Sequence, residues 1–91
     1  MAAGRADPNP GALFGRNLRR LRLTSGISQE ELGFRANLDR TYVSSVERGH
    51  RNISIDNIFR IASALGCDPR ELLAPHSEPQ LREARGRSTT R

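Results

Sequence analysis

Between Arg40 and Arg48 the chain reads RTYVSSVER, and helical spacing turns Val43 and Val46 to one side while Arg40, Thr41, Ser44, Ser45 and Arg48 share the other. Two guanidiniums and three hydroxyls therefore stand together on an outward face. A guanidinium is a planar fork of donors that fits a phosphate or the O6/N7 edge of guanine, and a hydroxyl both donates and accepts. The chemistry open to such a face is recognition through hydrogen bonds.

Bond-making chemistry finds no support. His50, His76 and Cys67 do not fall at the spacing of a metal site, no glycine-rich phosphate loop is present, and most carboxylates stand at helix caps or salt-bridge positions. The expectation is a protein that is not an enzyme and needs no metal or cofactor.

The elements that must carry this face are short helices. Phe14, Leu18 and Leu21 mark one side of a first helix that Gly26 ends, with Arg16, Arg19 and Arg20 on its other sides. SQEE then supplies Ser28 as a cap and Glu31 three residues later, the pattern of a reciprocal capping box. The second helix closes at Asn37, a residue that tolerates the left-handed conformation. A third starts near Asp39 or Arg40 and ends at Gly49, with Leu38 at the turn. Ser54 caps a fourth, in which Ile55, Ile58, Ile61, Ala62 and Leu65 recur before Gly66. Asp68, Pro69 and Glu71 open a fifth.

Composition sets the scale. Ninety-one residues allow one small core, here mostly aliphatic, so the working surface is the outside. The net charge is +5 and every cationic side chain is arginine, which favours an anionic partner, although the base composition of a genome can also produce an arginine bias. A lone Cys67 allows no internal disulfide, and no stretch reaches the roughly eighteen apolar residues of a membrane span or the pattern of a signal peptide. A cytoplasmic protein without membrane contact is expected. Three regions are read: a flexible segment 1–10, a helical domain 11–74 and a flexible basic tail 75–91.

Two short helices joined by about four residues, the second polar on its outer side, have the dimensions to enter a DNA major groove. The stretch from Leu13 to Leu73 resembles the helix-turn-helix regulators of the lambdoid phage repressor and Cro type, the XRE family. SQEEL stands for helix two, LDRTYVSSVERG for the turn and recognition helix, and IASALGCDPRELL for helices four and five. LDRTYVSSVERGHRN is also similar to the controller proteins of restriction-modification systems.

This resemblance implies an all-α, compact five-helix, lambda-repressor-like domain and assigns roles to particular residues. Arg40, Thr41 and Ser45 match positions that reach base edges. Tyr42 either reaches a phosphate or a thymine methyl, or lies across the bundle surface; Ser44 is similarly open between a backbone contact and a structural place. Gln29 matches a glutamine that touches the DNA backbone and braces the recognition helix, and Arg48, Arg51 and Asn52 match phosphate contacts. Glu47 and Arg22 match a structural ion pair. Asp39 is either a cap or an acceptor for cytosine N4. Two departures stand out: Gly33 where alanine is common, costing about 1 kcal/mol of helix propensity, and Asn37 where the turn often has glycine.

The function these roles imply is sequence-specific transcriptional regulation by a homodimer on an inverted-repeat operator in double-stranded DNA, with successive recognition helices roughly 34 Å apart. Leu72 and Leu73 are read either as dimer contacts or as residues buried within each monomer. Two other readings stand beside it: an antitoxin or adaptor-type module that uses the basic tail to bind a protein, and an architectural DNA binder without base preference.

Overall fold

The computed structural model describes residues 9–75. Five helices follow in order: α1 (Pro10–Ser25), α2 (Gln29–Ala36), α3 (Arg40–Glu47), α4 (Ile55–Leu65) and α5 (Pro69–Leu73). No strand occurs among the described residues, and no helix there is long and apolar enough to cross a membrane. The flexible segment and basic tail expected at the termini, His76 included, lie outside the described residues, apart from the short stretches at 9–10 and at Pro75.

Local sequence explains where each helix begins. Asn9 accepts a hydrogen bond from the Ala12 N–H and Pro10 occupies the first position of α1, so the helix starts within the segment read as N-terminal and flexible. Ser28, Asp39, Ser54 and Asp68 cap the next four helices through their side-chain oxygens. The reciprocal box is complete only at α5, where the Asp68 N–H donates to Glu71. At α2 the expected return bond is replaced: Glu31 pairs with Arg35 one turn later, at 2.8 Å, because an exposed carboxylate at that spacing finds a cation as readily as a backbone N–H.

The turn between α2 and α3 passes through Asn37 at φ 60° and ψ 47°, the left-handed state expected of it. Gly33 has a packing reason. A Cβ there would stand 2.5 Å from the Leu38 carbonyl oxygen, so the turn folds against the bare backbone of α2.

Phe14, Leu18, Leu32, Ala36, Val43, Val46, Ile58, Ile61, Ala62 and Leu72 form the core, drawing on all five helices. Burying these side chains, each worth about 1.5–3 kcal/mol for the larger ones, is what holds such short helices in place. Ile55, read as part of the apolar repeat of α4, is 67% exposed, since the helix's first turn extends beyond the surface that covers the rest. Asn17 is buried within α1 and its Nδ2 donates to the carbonyls of Leu72 (2.9 Å) and Ala74 (2.8 Å). Those carbonyls end α5 and have no partner within the helix, so one amide closes the bundle between its first and last elements.

Candidate nucleic-acid interface

α3 is held from beneath by α1. A Cβ at Gly15 would collide with the Glu47 carbonyl oxygen and stand 2.6 Å from that of Val46, so the two helices meet backbone to backbone. Val43 and Val46 are buried below. The opposite side of α3 therefore faces solvent.

Glu47 lies at the end of α3, and its carboxylate accepts from Arg22 Nε at 2.6 Å, Arg22 Nη2 at 3.1 Å and Gln29 Nε2 at 3.0 Å. Arg22 also donates through Nη1 to the Ile27 carbonyl at 2.9 Å. Both charged side chains are nearly sealed from water, at 8% and 3% exposure. A carboxylate that would otherwise repel an anion is thus neutralised inside the bundle, and Gln29 is tied to the same group.

At the other end Asp39 accepts from the Thr41 N–H (3.0 Å) and the Thr41 hydroxyl (2.9 Å). These bonds, with Arg40 nearby, hold its carboxyl below the usual carboxylate range. The Thr41 proton is committed to this cap, so its hydroxyl offers lone pairs outward and its methyl group beside them.

Arg40 and Thr41 are exposed, as are Arg48, Arg51 and Asn52, while Ser44 and Ser45 are half-buried. Arg40 forms no hydrogen bond or ion pair among the described residues, which leaves its donor fork available. Ser44 and Arg48 are joined instead: the guanidinium donates to the Ser44 hydroxyl across one helical turn. Of the residues singled out from the sequence, the structure brings Arg40, Thr41, Ser44 and Ser45 onto α3, sets Arg48 at its C-terminal cap, and links Gln29 to the helix through Glu47. Asn52 stays with Arg51 on the loop after α3, beside the start of α1.

Tyr42 occupies the flank of α3. Its ring packs half-buried against the core, the Arg51 guanidinium lies 4.8 Å from the ring centroid, and its Oη accepts from Asn57 Nδ2 at 3.1 Å. Asn57 was not legible as part of this surface, because an asparagine in the first turn of a capped helix looks like an ordinary solvated residue. The nearby groove between α2 and α4, lined by Arg35, Ala36, Asp56, Phe59, Arg60 and Ser63, is shallow and open. No group of acidic, histidine or cysteine side chains suited to a metal occurs among the described residues.

The helix pair and its outward face have counterparts in known proteins. A helix-turn-helix family model, HTH_3, matches residues 18–72. Over 62 residues the chain is 53% identical to control protein C.BamHI of Bacillus amyloliquefaciens, covering 67% of this chain and 76% of that protein. The crystal structure of the restriction-modification controller protein C.AhdI from Aeromonas hydrophila superposes with a TM-score of 0.67 at 53% identity, covering 68% of this chain and 94% of that one. The structure of the hypothetical transcription factor NHTF from Neisseria gives a TM-score of 0.72 at 45% identity, covering 82% and 83%. With the family match, the sequence identity and the architecture in agreement, the chain belongs to the helix-turn-helix family.

Proposed function

We propose that α3 of this DNA-binding transcriptional regulator enters the major groove of an inverted-repeat operator, and that two copies of the chain bind together. The observation that carries this reading is the uncommitted Arg40 fork on an exposed helix whose own carboxylate, Glu47, is neutralised from within, while the Asp39 cap before it is occupied by Thr41. Arg40 pairs with the O6/N7 edge of guanine, and Thr41 and Ser45 meet neighbouring base edges. Gln29, Ser44, Arg48, Arg51 and Asn52 contact the backbone and fix the register. The similarity to control proteins of restriction-modification systems supports regulation of transcription as the outcome.

For the dimer, Leu72 is unavailable because it is wholly buried, whereas Leu73 is 53% exposed and offers an apolar contact beside it. The protein acts in the cytoplasm and by binding alone, without catalysis. Selection of bound duplexes from a random pool tests the reading. A two-fold symmetric consensus is the expected result; retention of duplexes without any shared sequence would remove it.

A further inference from the structure

We propose that residues 76–81, the stretch that follows Pro75, dock along the outer face of α1, with the Glu78 carboxylate between Arg16 and Arg20 and Leu81 against Leu23. The occupant of this face is a segment of the same chain, and the inference is independent of how α3 meets DNA.

The face lacks a counter-charge of its own. α1 carries four arginines and no acidic residue. Arg22 is spent on Glu47 inside the bundle. Arg16, Arg19 and Arg20 line a shallow, open groove with Leu23 and Thr24, and cations three and four residues apart on one helix oppose each other. Leu23 is 54% exposed there, a large apolar side chain without cover. Arg20 donates through Nη2 to Asn17 Oδ1 at 3.2 Å, but its Nε–H is shut off from water and meets no acceptor among the described residues. A buried donor in that state calls for an acceptor. At about 100° per residue, Arg16 and Arg20 stand roughly 100–140° round α1 from Gly15, where α3 is packed. The face is thus turned aside from the helix that reads DNA, and its counter-charge comes from another source.

The chain itself arrives at this face. Asn17, next to Arg16 and bonded to Arg20, donates through Nδ2 to the carbonyls of Leu72 and Ala74, so the backbone leaves the bundle beside the groove. After Pro75 the sequence reads HSEPQL, with one carboxylate, one large apolar side chain and no arginine; the basic run begins only at Arg82. Glu78 stands four residues past Ala74, a reach of up to about 13 Å, and Leu81 seven, a reach of up to about 23 Å. Leu23 lies six residues along α1 from Asn17, about 9 Å. Both contacts are within span, with slack for the chain to follow the helix surface. A carboxylate on so short a tether is present at high effective concentration, so a modest ion pair suffices to seat it.

Disulfide trapping in the full chain tests this. In a Cys67→Ser background, Leu23→Cys and Leu81→Cys put one thiol on the groove and one on the segment, and a glutathione redox buffer reads their effective concentration. Glu78→Lys lies beyond the last helix and leaves the packing of the bundle intact. It should lower that value about fivefold, the scale of an exposed ion pair replaced by repulsion. Adding Arg16→Glu to Glu78→Lys should restore it. An effective concentration unmoved by Glu78→Lys would mean that the segment is only tethered nearby, and overturns the inference. Bridges that join two chains would also overturn it, by assigning the face to a second copy. Because Leu23→Cys removes part of the groove, amide hydrogen exchange on the otherwise unaltered chain supplies a second reading. The amides of Gln80 and Leu81 should exchange severalfold more slowly than in the Glu78→Lys protein, and equal rates refute the docking.

Discussion

Arg22 and Glu47, twenty-five residues apart, are locked by paired hydrogen bonds of 2.6 and 3.1 Å between α1 and the end of α3. Arg22→Met strands the Glu47 carboxylate in a nearly sealed site with Gln29 as its remaining donor. Urea denaturation should show a loss of about 3–5 kcal/mol, and the double replacement Arg22→Met with Glu47→Leu should recover much of it. A loss under 1 kcal/mol would mean that water reaches the pair.

Arg40 and Arg48 should separate in kind. Arg40→Ala is expected to relax preference at particular base pairs by about 1–3 kcal/mol, while Arg48→Ala weakens all sequences alike and lowers the salt dependence of binding. Titrations of matched and mismatched duplexes at several salt concentrations read both effects. Identical behaviour of the two variants would refute the division of roles.

Two glycines should resist a change that normally favours helices. Gly33→Ala gains about 1 kcal/mol of propensity, yet its Cβ would meet the Leu38 carbonyl at 2.5 Å, and at Gly15 the obstacle is the backbone of α3. Both alanine variants are expected to be less stable by about 1–3 kcal/mol in thermal or urea melts, as overpacked sites are. A stabilised Gly33→Ala protein would show that the turn can move aside.

Acid should loosen α5. Hydrogen bonds from the Arg70 side chain and N–H hold the Asp68 carboxyl at about 2. A carboxyl depressed in the folded state contributes stability that is fully present above its ordinary value of 3.8 and is lost as pH falls toward 2. Asp68→Asn should therefore flatten the pH dependence of stability in that window, measured by circular dichroism melts; an unchanged profile would dismiss the cap as its source.

Cys67 should react sluggishly. Partial burial, with the charges of Glu71 and Asp68 close by, pushes its thiol above the usual value and suppresses the thiolate. Alkylation by iodoacetamide near neutral pH should be slower in the folded protein than in urea. Equal rates would show the thiol to be freely solvated.

Much of this fold is local and so could be read from neighbouring residues. Ser28, Asp39, Ser54 and Asp68 cap the helices they precede, and Gly26, Asn37 and Gly66 end them, because each signal acts within one turn of chain. The outward set on α3 was legible for the same reason, as helical spacing separates it from Val43 and Val46. What escaped depends on residues brought together from a distance. Asn17 meets the carbonyls of α5 across more than fifty residues, Gly15 is required by α3, and Asn57 finds Tyr42 only after α4 has docked. The exposure of Ile55 was hidden because periodicity marks a stripe without saying how far its cover extends. The join between Ser44 and Arg48, by contrast, was open to view at a spacing of four.

The bare contact at Gly15 has a consequence for how such a surface changes over time. Because main chain abuts main chain there, the tilt of α3 is set without help from any side chain on its solvent side. Arg40, exposed and without a hydrogen-bond partner among the described residues, can therefore be exchanged like type in a printing frame: a new letter alters the message while the frame is left undisturbed.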